Sequence, residues 1–237
     1  MSNHNGFTEA DVPDQSGKSF IVTGANAGVG FEVSRVLAAR GARVLLGCRD
    51  QAKATEAITR IRRITPKPDV SWLPLDLGDI ESIRAAARAV AAEPRIDALI
   101  NNAGIMNPPL MRTKQGFESQ FGVNHLGVFA LTSLLLPKLA QTPGSRVVVT
   151  SSISHLKGKI DWDDLNADHS YSKGGSLWRQ QAGQCAVLLR TGSSPARVKV
   201  SHHSRRCPSG RRQHQPGTAY GAGPIVGADR RPAPQQC

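Results

Sequence analysis

Three features of the 237-residue chain can do chemistry. The first is the stretch VTGANAGVG, Val22 to Gly30, between an apolar run and a helical pattern. Gly24, Gly28 and Gly30 permit a tight turn and close backbone approach, and a helix N-terminus behind them can hold a pyrophosphate. The turn has a strand before it and a helix after it, the context that separates a dinucleotide site from an ordinary glycine turn. The second feature is GCRD, where Arg49 lies about 20 residues past the glycines. An acidic residue there binds the adenosine ribose hydroxyls and favours NAD, whereas an Arg receives a 2′-phosphate. Arg49, with Lys53 as support, therefore favours NADP(H), with NAD the less favoured cofactor. The third is the pair Tyr171 and Lys173. They are two residues apart, so on a helix they point to different faces.

The elements around these residues alternate. SFIVTG, ARVLLGC, VSWLPLDL, IDALINNAG and SRVVVTSS read as five short strands, the third despite Pro74. Between them lie four helical patterns. GVGFEVSRVLAARG carries Val29, Val33, Val36 and Leu37 at helical spacing, with Gly41 at its C-terminus. QAKATEAITRIRRI places Ile58 and Ile61 on one face, and IESIRAAARAVAA is Ala-rich. GFESQFGVNHLGVFALTSLLLPKL reads as one long helix with Phe117, Phe121, Val128 and Leu131 inward. Such alternation predicts right-handed βαβ units: an α/β, Rossmann-type doubly wound parallel sheet, incomplete after the fifth strand. Residues 1–17 read as a flexible arm, 18–173 as the dinucleotide-binding domain and 174–237 as a basic tail of low order, in which only ARVKV looks strand-like.

Charge follows the same division. The formal net charge is +12, from 30 Lys+Arg against 18 Asp+Glu. Residues 1–173 hold 20 basic and 17 acidic side chains, and residues 174–237 hold 10 and 1. A strongly basic chain suggests an anionic partner, but the tail offers only Trp178 and Tyr220 as aromatics, so no specific nucleic-acid binding is expected. Cys185, His202, His203 and Cys207 lack paired ligand spacing, so no metal site is expected. DWDDLNAD reads as a solvated acidic loop. The polar N-terminus has no secretory signal, and VFALTSLLLPKL is too short to span a bilayer. Three of the four cysteines lie in the tail, which is no disulfide framework, so the expected location is cytoplasmic.

TGANAGVG, CRD, LDLGDIESI, NNAGIM, FGVNHLGVFALT and RVVVTSSISH together resemble the short-chain dehydrogenase/reductase family, in particular its retinol-dehydrogenase-like branch. The resemblance covers roughly residues 16–173. It implies hydride transfer between NADP(H) and a small apolar carbonyl or alcohol. It places Thr23, Gly24, Asn26, Gly28, Val29 and Gly30 in the cofactor turn, and Asp76 and Leu77 at the adenine site. It also places Asn102, Ala103, Gly104 and Thr150 beside the cofactor, with Asn102 tying strands together. Of the family's catalytic Asn, Ser, Tyr and Lys, two positions match. Asn124 corresponds to the Asn that helps hold a proton-relay water, and Ser152 to the Ser that hydrogen-bonds the substrate oxygen. The Tyr and the Lys four residues on, the proton-transfer pair, have no counterpart.

Their absence has a reading at the level of the gene. LWRQQA can be written CTA TGG CGC CAG CAA GCT. One base out of frame, this gives TAT GGC GCC AGC AAG, or YGASK, which resembles the family's catalytic stretch. QQAGQCAVLLRTGSS continues as SKLANVLFSYELDR, and CPSGRRQHQPG yields AHPGVANTNL, which resembles the family's next strand and turn. The tail from about Gly174 is therefore expected to be a frameshift product, and the chain inactive or very weak as an enzyme. The alternatives are a non-catalytic NADP-binding remnant or interaction module, and a basic nucleic-acid-binding tail. Homodimerisation is in doubt, because the missing helix commonly forms the family's dimer interface.

Overall fold

A computed structural model describes residues 6–152 and 161–171, together with the backbone of 197–203. The five expected strands all form: β1 (Ser19–Thr23), β2 (Arg43–Cys48), β3 (Val70–Pro74), β4 (Ala98–Asn101) and β5 (Arg146–Ser152). Helices α1 (Gly28–Ala39), α2 (Gln51–Ile64), α3 (Ile80–Ala91) and α4 (Ser119–Ala140) connect them. Every strand pairs in parallel with its neighbour. The sheet does not end at β5. A sixth strand, β6 (Arg197–His203), pairs with β5 along its whole length, giving the order β3-β2-β1-β4-β5-β6. The rest of 174–237, and Lys173, lie outside the described residues.

Period-two alternation builds two cores. Ile21, Leu45, Leu73, Leu99, Val147 and Val149 face one side, against Ile83, Val90, Leu131, Leu135 and Leu139 of α3 and α4. Phe20, Val22, Val44, Leu46, Val70 and Ala98 face the other, against Phe31, Ala38, Ala57 and Ile61 of α1 and α2. Alternate residues of a strand point to opposite faces, so β1 to β4 each serve both layers. Each fully buried Leu or Ile contributes about 1.5–3 kcal/mol relative to exposure. Pro74 is accommodated because β3 is an edge strand and Pro74 its last residue. The chain leaves β1 in opposite directions, through α1 to β2 and later to β4. That reversal opens a crevice beyond the C-terminal ends of β1 and β4, where such sheets bind ligands.

Several expectations need correction. Residues 6–17 are not a loose arm, because they are tied to the end of α1. Glu9 takes two bonds from the Arg35 guanidinium, at 2.7 and 3.0 Å. Arg40 donates to the Glu9 carbonyl, and the Gln15 amide donates to the Arg40 carbonyl at 2.8 Å. Gly41, at φ +84°, lets Ser16 approach; a Cβ there would lie 2.4 Å from Ser16 Oγ. The buried stripe of α1 is Phe31, Ser34 and Ala38, while Val29 is 38% exposed. Phe117 is exposed and precedes α4, which begins at Ser119 behind a Glu118 cap. Among the described residues α4 is also long and apolar enough, by length and composition, to cross a membrane. The apolar run judged too short is only its second half. Val128, Leu131, Leu135 and Leu139 nevertheless sit in the sheet-facing core, so here α4 is a core helix.

Candidate active site

The glycine turn is built from contacts that exclude side chains. Gly24 has φ +66°, and its amide donates to the Gly47 carbonyl at 2.8 Å. A Cβ on Gly24 would lie 2.9 Å from the Ala103 Cα. One on Gly30 would lie 2.4 Å from the Gly24 carbonyl oxygen and 2.5 Å from Asn102 Nδ2. The turn after β1 and the NNAG stretch after β4 are therefore in direct contact. Thr23, fully buried, fastens them. Its hydroxyl oxygen accepts from the Asn102 amide at 3.0 Å and the Ala103 amide at 2.9 Å, and its carbonyl accepts from Asn102 Nδ2 at 3.1 Å. Asn102 thus ties the end of β4 to the end of β1.

The same turn leaves donors for an anion. Ala27 caps α1 without a side-chain bond, and the first turn holds no acidic residue. The first amides of α1 therefore carry the positive end of the helix dipole without a side-chain cap among the described residues. Gly28, at φ +57°, faces open space, with no atom within 4 Å of a Cβ placed there. This geometry fits a pyrophosphate approaching the backbone. Asn26 is half-buried in the turn and Val29 stands at its surface.

Arg49 stands exposed just beyond the C-terminal end of β2. Its neighbour Asp50 is engaged as the α2 cap, accepting from the Lys53 amide at 3.0 Å. Lys53 Nζ lies 3.9 Å from the Asp50 carboxylate. Burial, with the Asp50 charge, pushes the Cys48 thiol up to about 11, which keeps it protonated and unreactive. Asp76 is half-buried and accepts from the Gly78 amide at 2.8 Å. Leu77, expected to line the adenine site, is 6% exposed and belongs to the core cluster. Its carbonyl abuts Gly127, where a Cβ would come within 2.2 Å.

Asn124 is buried within a π-type turn of α4, Gly122–Gly127. Turns of that kind often mark functional positions. Its Oδ1 accepts from the Ile105 amide and its Nδ2 donates to the Ile105 carbonyl, both at 2.8 Å. Asn124 is therefore locked to the loop that follows Gly104. Beside it, burial lowers the pKa of His125, which stacks on Phe121 at 5.5 Å. Thr150 lies in β5, paired with Ser201 of β6. Ser152 ends β5, and its side chain lies outside the described residues. Tyr171 does not present a free hydroxyl, because it donates to the Pro108 carbonyl at 2.6 Å. The acidic loop is ordered by its own side chains. Asp164 accepts from the amides of Asp168, His169 and Ser170, and Arg112 pairs with Asp168 at 3.0 Å.

Sequence reasoning missed Asn101, Glu118 and Gln120, all buried and polar. Asn101 Nδ2 donates to Thr132 Oγ1 at 3.0 Å. Glu118 caps α4 by accepting from the Gln120 and Phe121 amides. Gln120 Oε1 accepts from the Asn107 amide at 3.0 Å. All three sit in or beside motif stretches, but nothing in their spacing announces these partners.

A parallel sheet with this order, a capless helix behind a glycine turn and a buried Asn on a π-type turn define a nicotinamide-type dehydrogenase scaffold. Residues 18–165 match the family described as short chain dehydrogenase, and the chain belongs to that family. It is 47% identical over 171 residues to human retinol dehydrogenase 14, covering 66% of this chain and 51% of the relative. It is 48% identical over 165 residues to mouse retinol dehydrogenase 12, covering 69% and 51%. The chain spans about half the length of the curated relatives it matches. Among solved structures, a Mycobacterium paratuberculosis protein superposes with TM-score 0.69 at 38% identity, over 83% of this chain and 72% of that one. An Escherichia coli CFT073 protein described as a short chain dehydrogenase and solved with NADPH gives TM-score 0.63 at 26% identity, over 78% and 75%.

Proposed function

We propose that the chain is the cofactor-binding part of an NADP(H)-dependent oxidoreductase whose intact form acts on a small apolar alcohol or carbonyl, and that the chain itself turns over little or nothing. The observation that carries the cofactor choice is Arg49, exposed beyond β2 beside an Asp50 already engaged as a helix cap. A guanidinium there suits a 2′-phosphate and has no acceptor for the hydrogen bonds that ribose hydroxyls donate. The relative solved with NADPH supports this choice. The names of the retinol dehydrogenases support an apolar alcohol as the substrate class.

When bound, the nicotinamide exchanges a hydride with the carbon of the alcohol or carbonyl. The chain's own residues bind and orient. The Gly24–Gly30 turn and the first amides of α1 would hold the pyrophosphate, and Asn102 holds the turn against β4. Asn124 fixes the loop beyond Gly104, and Ser152, which matches the family's Ser, would hydrogen-bond the substrate oxygen. Proton transfer to that oxygen is what the chain lacks. Tyr171 is the one tyrosine among the described residues, and its hydroxyl is committed to the Pro108 carbonyl. Burial, with the nearby Glu118 carboxylate, holds its pKa above the usual phenol value, the wrong direction for a general base.

The second reading, a non-catalytic NADP-binding module, is favoured by that same engagement of Tyr171. Turnover of apolar aldehydes with NADPH by the chain rebuilt with the in-frame C-terminal segment separates the two, since the part of an enzyme gains activity and a binding module gains none. The nucleotide sequence across codons 165–185 tests the proposed frameshift, and absence of the YGASK stretch one base out of frame would overturn it. The cofactor assignment is tested by Arg49→Glu. Loss of a charge-assisted contact of about 1.5–3 kcal/mol should weaken NADPH about 10- to 150-fold and leave NADH within a few-fold.

A further inference from the structure

The loop that leaves the cofactor-facing NNAG stretch is fastened at three places in four residues. Ile105 is held through both its amide and its carbonyl by Asn124, at 2.8 Å each. Asn107, in the left-handed region at φ +53°, gives its amide to Gln120 Oε1 at 3.0 Å. The Pro108 carbonyl accepts the Tyr171 hydroxyl at 2.6 Å. Gln120 and Tyr171 thus hold two adjacent residues, Asn107 and Pro108, as a two-sided clasp. Gln120 is fully buried at the start of α4.

Tyr171 comes from the segment that follows β5, and that segment is fastened to the same region a second time. Asn166 Oδ1 accepts from the Glu118 amide at 2.7 Å, and Arg112 donates to the Asn166 carbonyl at 2.6 Å. Two chain segments, 105–118 and 161–171, are thus joined beyond the C-terminal edge of the sheet. Between them they expose Met106 at 70%, Leu110, Met111, Trp162 at 74% and Leu165. Buried polar fastening beneath exposed apolar side chains is an unusual combination for a solvated loop, because exposed loops gain little from displaying large hydrophobes.

We propose that Gln120 and Tyr171 are positioning residues: their clasp fixes loop 105–111, so that Met106, Leu110 and Met111 stand as an apolar wall next to the cofactor turn. This rests on the reading that an apolar substrate meets the cofactor beyond β4. Tyr171 acts through the Pro108 carbonyl and takes no part in proton transfer. A left-handed Asn107 costs about 1–3 kcal/mol and persists only where its surroundings over-determine it. The Gln120 bond supplies that determination, and Tyr171 locks the following residue.

The test uses the full chain and Tyr171→Phe, which removes one hydroxyl and keeps the ring. Amide hydrogen exchange is followed at 105–111, with β1 and α1 as internal references. Loss of one hydrogen bond of about 0.5–1.5 kcal/mol should speed exchange at 105–111 roughly two- to tenfold and leave β1 and α1 unchanged. A second readout separates positioning from mere stability. NADPH affinity should stay within twofold, while binding of all-trans-retinol to the NADPH-saturated chain weakens severalfold. Gln120→Met, of similar size and without an acceptor oxygen for the Asn107 amide, should reproduce the faster exchange at 105–111. Unchanged exchange at 105–111 in both variants overturns the clasp, and so does a uniform rise across β1 and α1. Equal loss of NADPH and retinol affinity overturns the positioning role. A wild-type chain that binds no retinol overturns the substrate reading on which the wall rests, and one that binds no NADPH overturns the cofactor reading. The exchange measurement needs neither ligand and still decides the clasp.

Discussion

Replacing Gly30 by alanine puts a methyl carbon 2.4 Å from the Gly24 carbonyl oxygen and 2.5 Å from Asn102 Nδ2. Neither neighbour can yield cheaply. The Gly24 carbonyl is backbone, and the Asn102 amide is held by the Thr23 carbonyl at 3.1 Å. Relief requires the turn to part from the end of β4, so the cost is that of overpacking a core, about 1–3 kcal/mol. For a chain of this length that lowers Tm by roughly 2–12 °C. The displaced turn also misaligns the first amides of α1, so NADPH affinity should fall with stability. Gly28→Ala is the control. Its new Cβ meets no atom within 4 Å, and only its φ of +57° is strained. That strain costs about 1–2 kcal/mol, while the methyl occupies the space where a phosphate would approach. Gly28→Ala should therefore lose more in NADPH binding than in Tm. Thermal melts and NADPH fluorescence titrations of the two variants give both numbers. A Gly30→Ala protein with wild-type Tm and wild-type affinity would refute the packing argument.

The remaining predictions concern charge and chemistry. Arg49→Glu should weaken NADPH selectively, as titration with both cofactors would record. No oxidoreductase turnover above about 10⁻² to 10⁻⁴ of an intact enzyme is expected, the usual cost of losing a positioned acid/base. A robust activity abolished by Tyr171→Phe would contradict this. Glu93 is held below the usual carboxylate range by its hydrogen bonds from Arg43, at 2.7 Å each, and by the Arg43 and Lys138 charges. Its folded pKa is depressed, so its contribution is present above the unfolded value of about 4.3 and is lost as pH falls through the folded value. Arg43→Ala should lower the urea midpoint at pH 7, and the gap to wild type should narrow toward pH 3.

Strands and helices were legible because alternation at period two and period 3.6 is a local property. All five strands fell where SFIVTG, ARVLLGC, VSWLPLDL, IDALINNAG and SRVVVTSS stand. Long-range side-chain partners were not legible. The pairing of Glu9 with Arg35 turned an apparently loose arm into docked chain, and nothing in a polar stretch rich in Asp and Pro signals a partner on the next helix. The buried stripe of α1 shifted from Val29 to Phe31, Ser34 and Ala38, because the helix start faces the cofactor crevice and not the sheet. The π-type turn at Asn124 adds a residue to one helical turn, which no apolar periodicity reports. Leu77 sits within a motif, yet the close approach of Gly127 directs its side chain into the core. The start of α4 was placed three residues early because Glu118, the buried cap that accepts from the Gln120 and Phe121 amides, reads in sequence as one more residue of the helix.

Titration of the full chain with NADPH and NADH side by side, followed by nicotinamide fluorescence or calorimetry, tests the central claim most directly. The account predicts saturable one-site binding of NADPH, tighter than NADH by at least about tenfold, the value of one charge-assisted contact. Equal affinity for the two cofactors would contradict the role of Arg49, and failure to bind either would contradict the cofactor site itself.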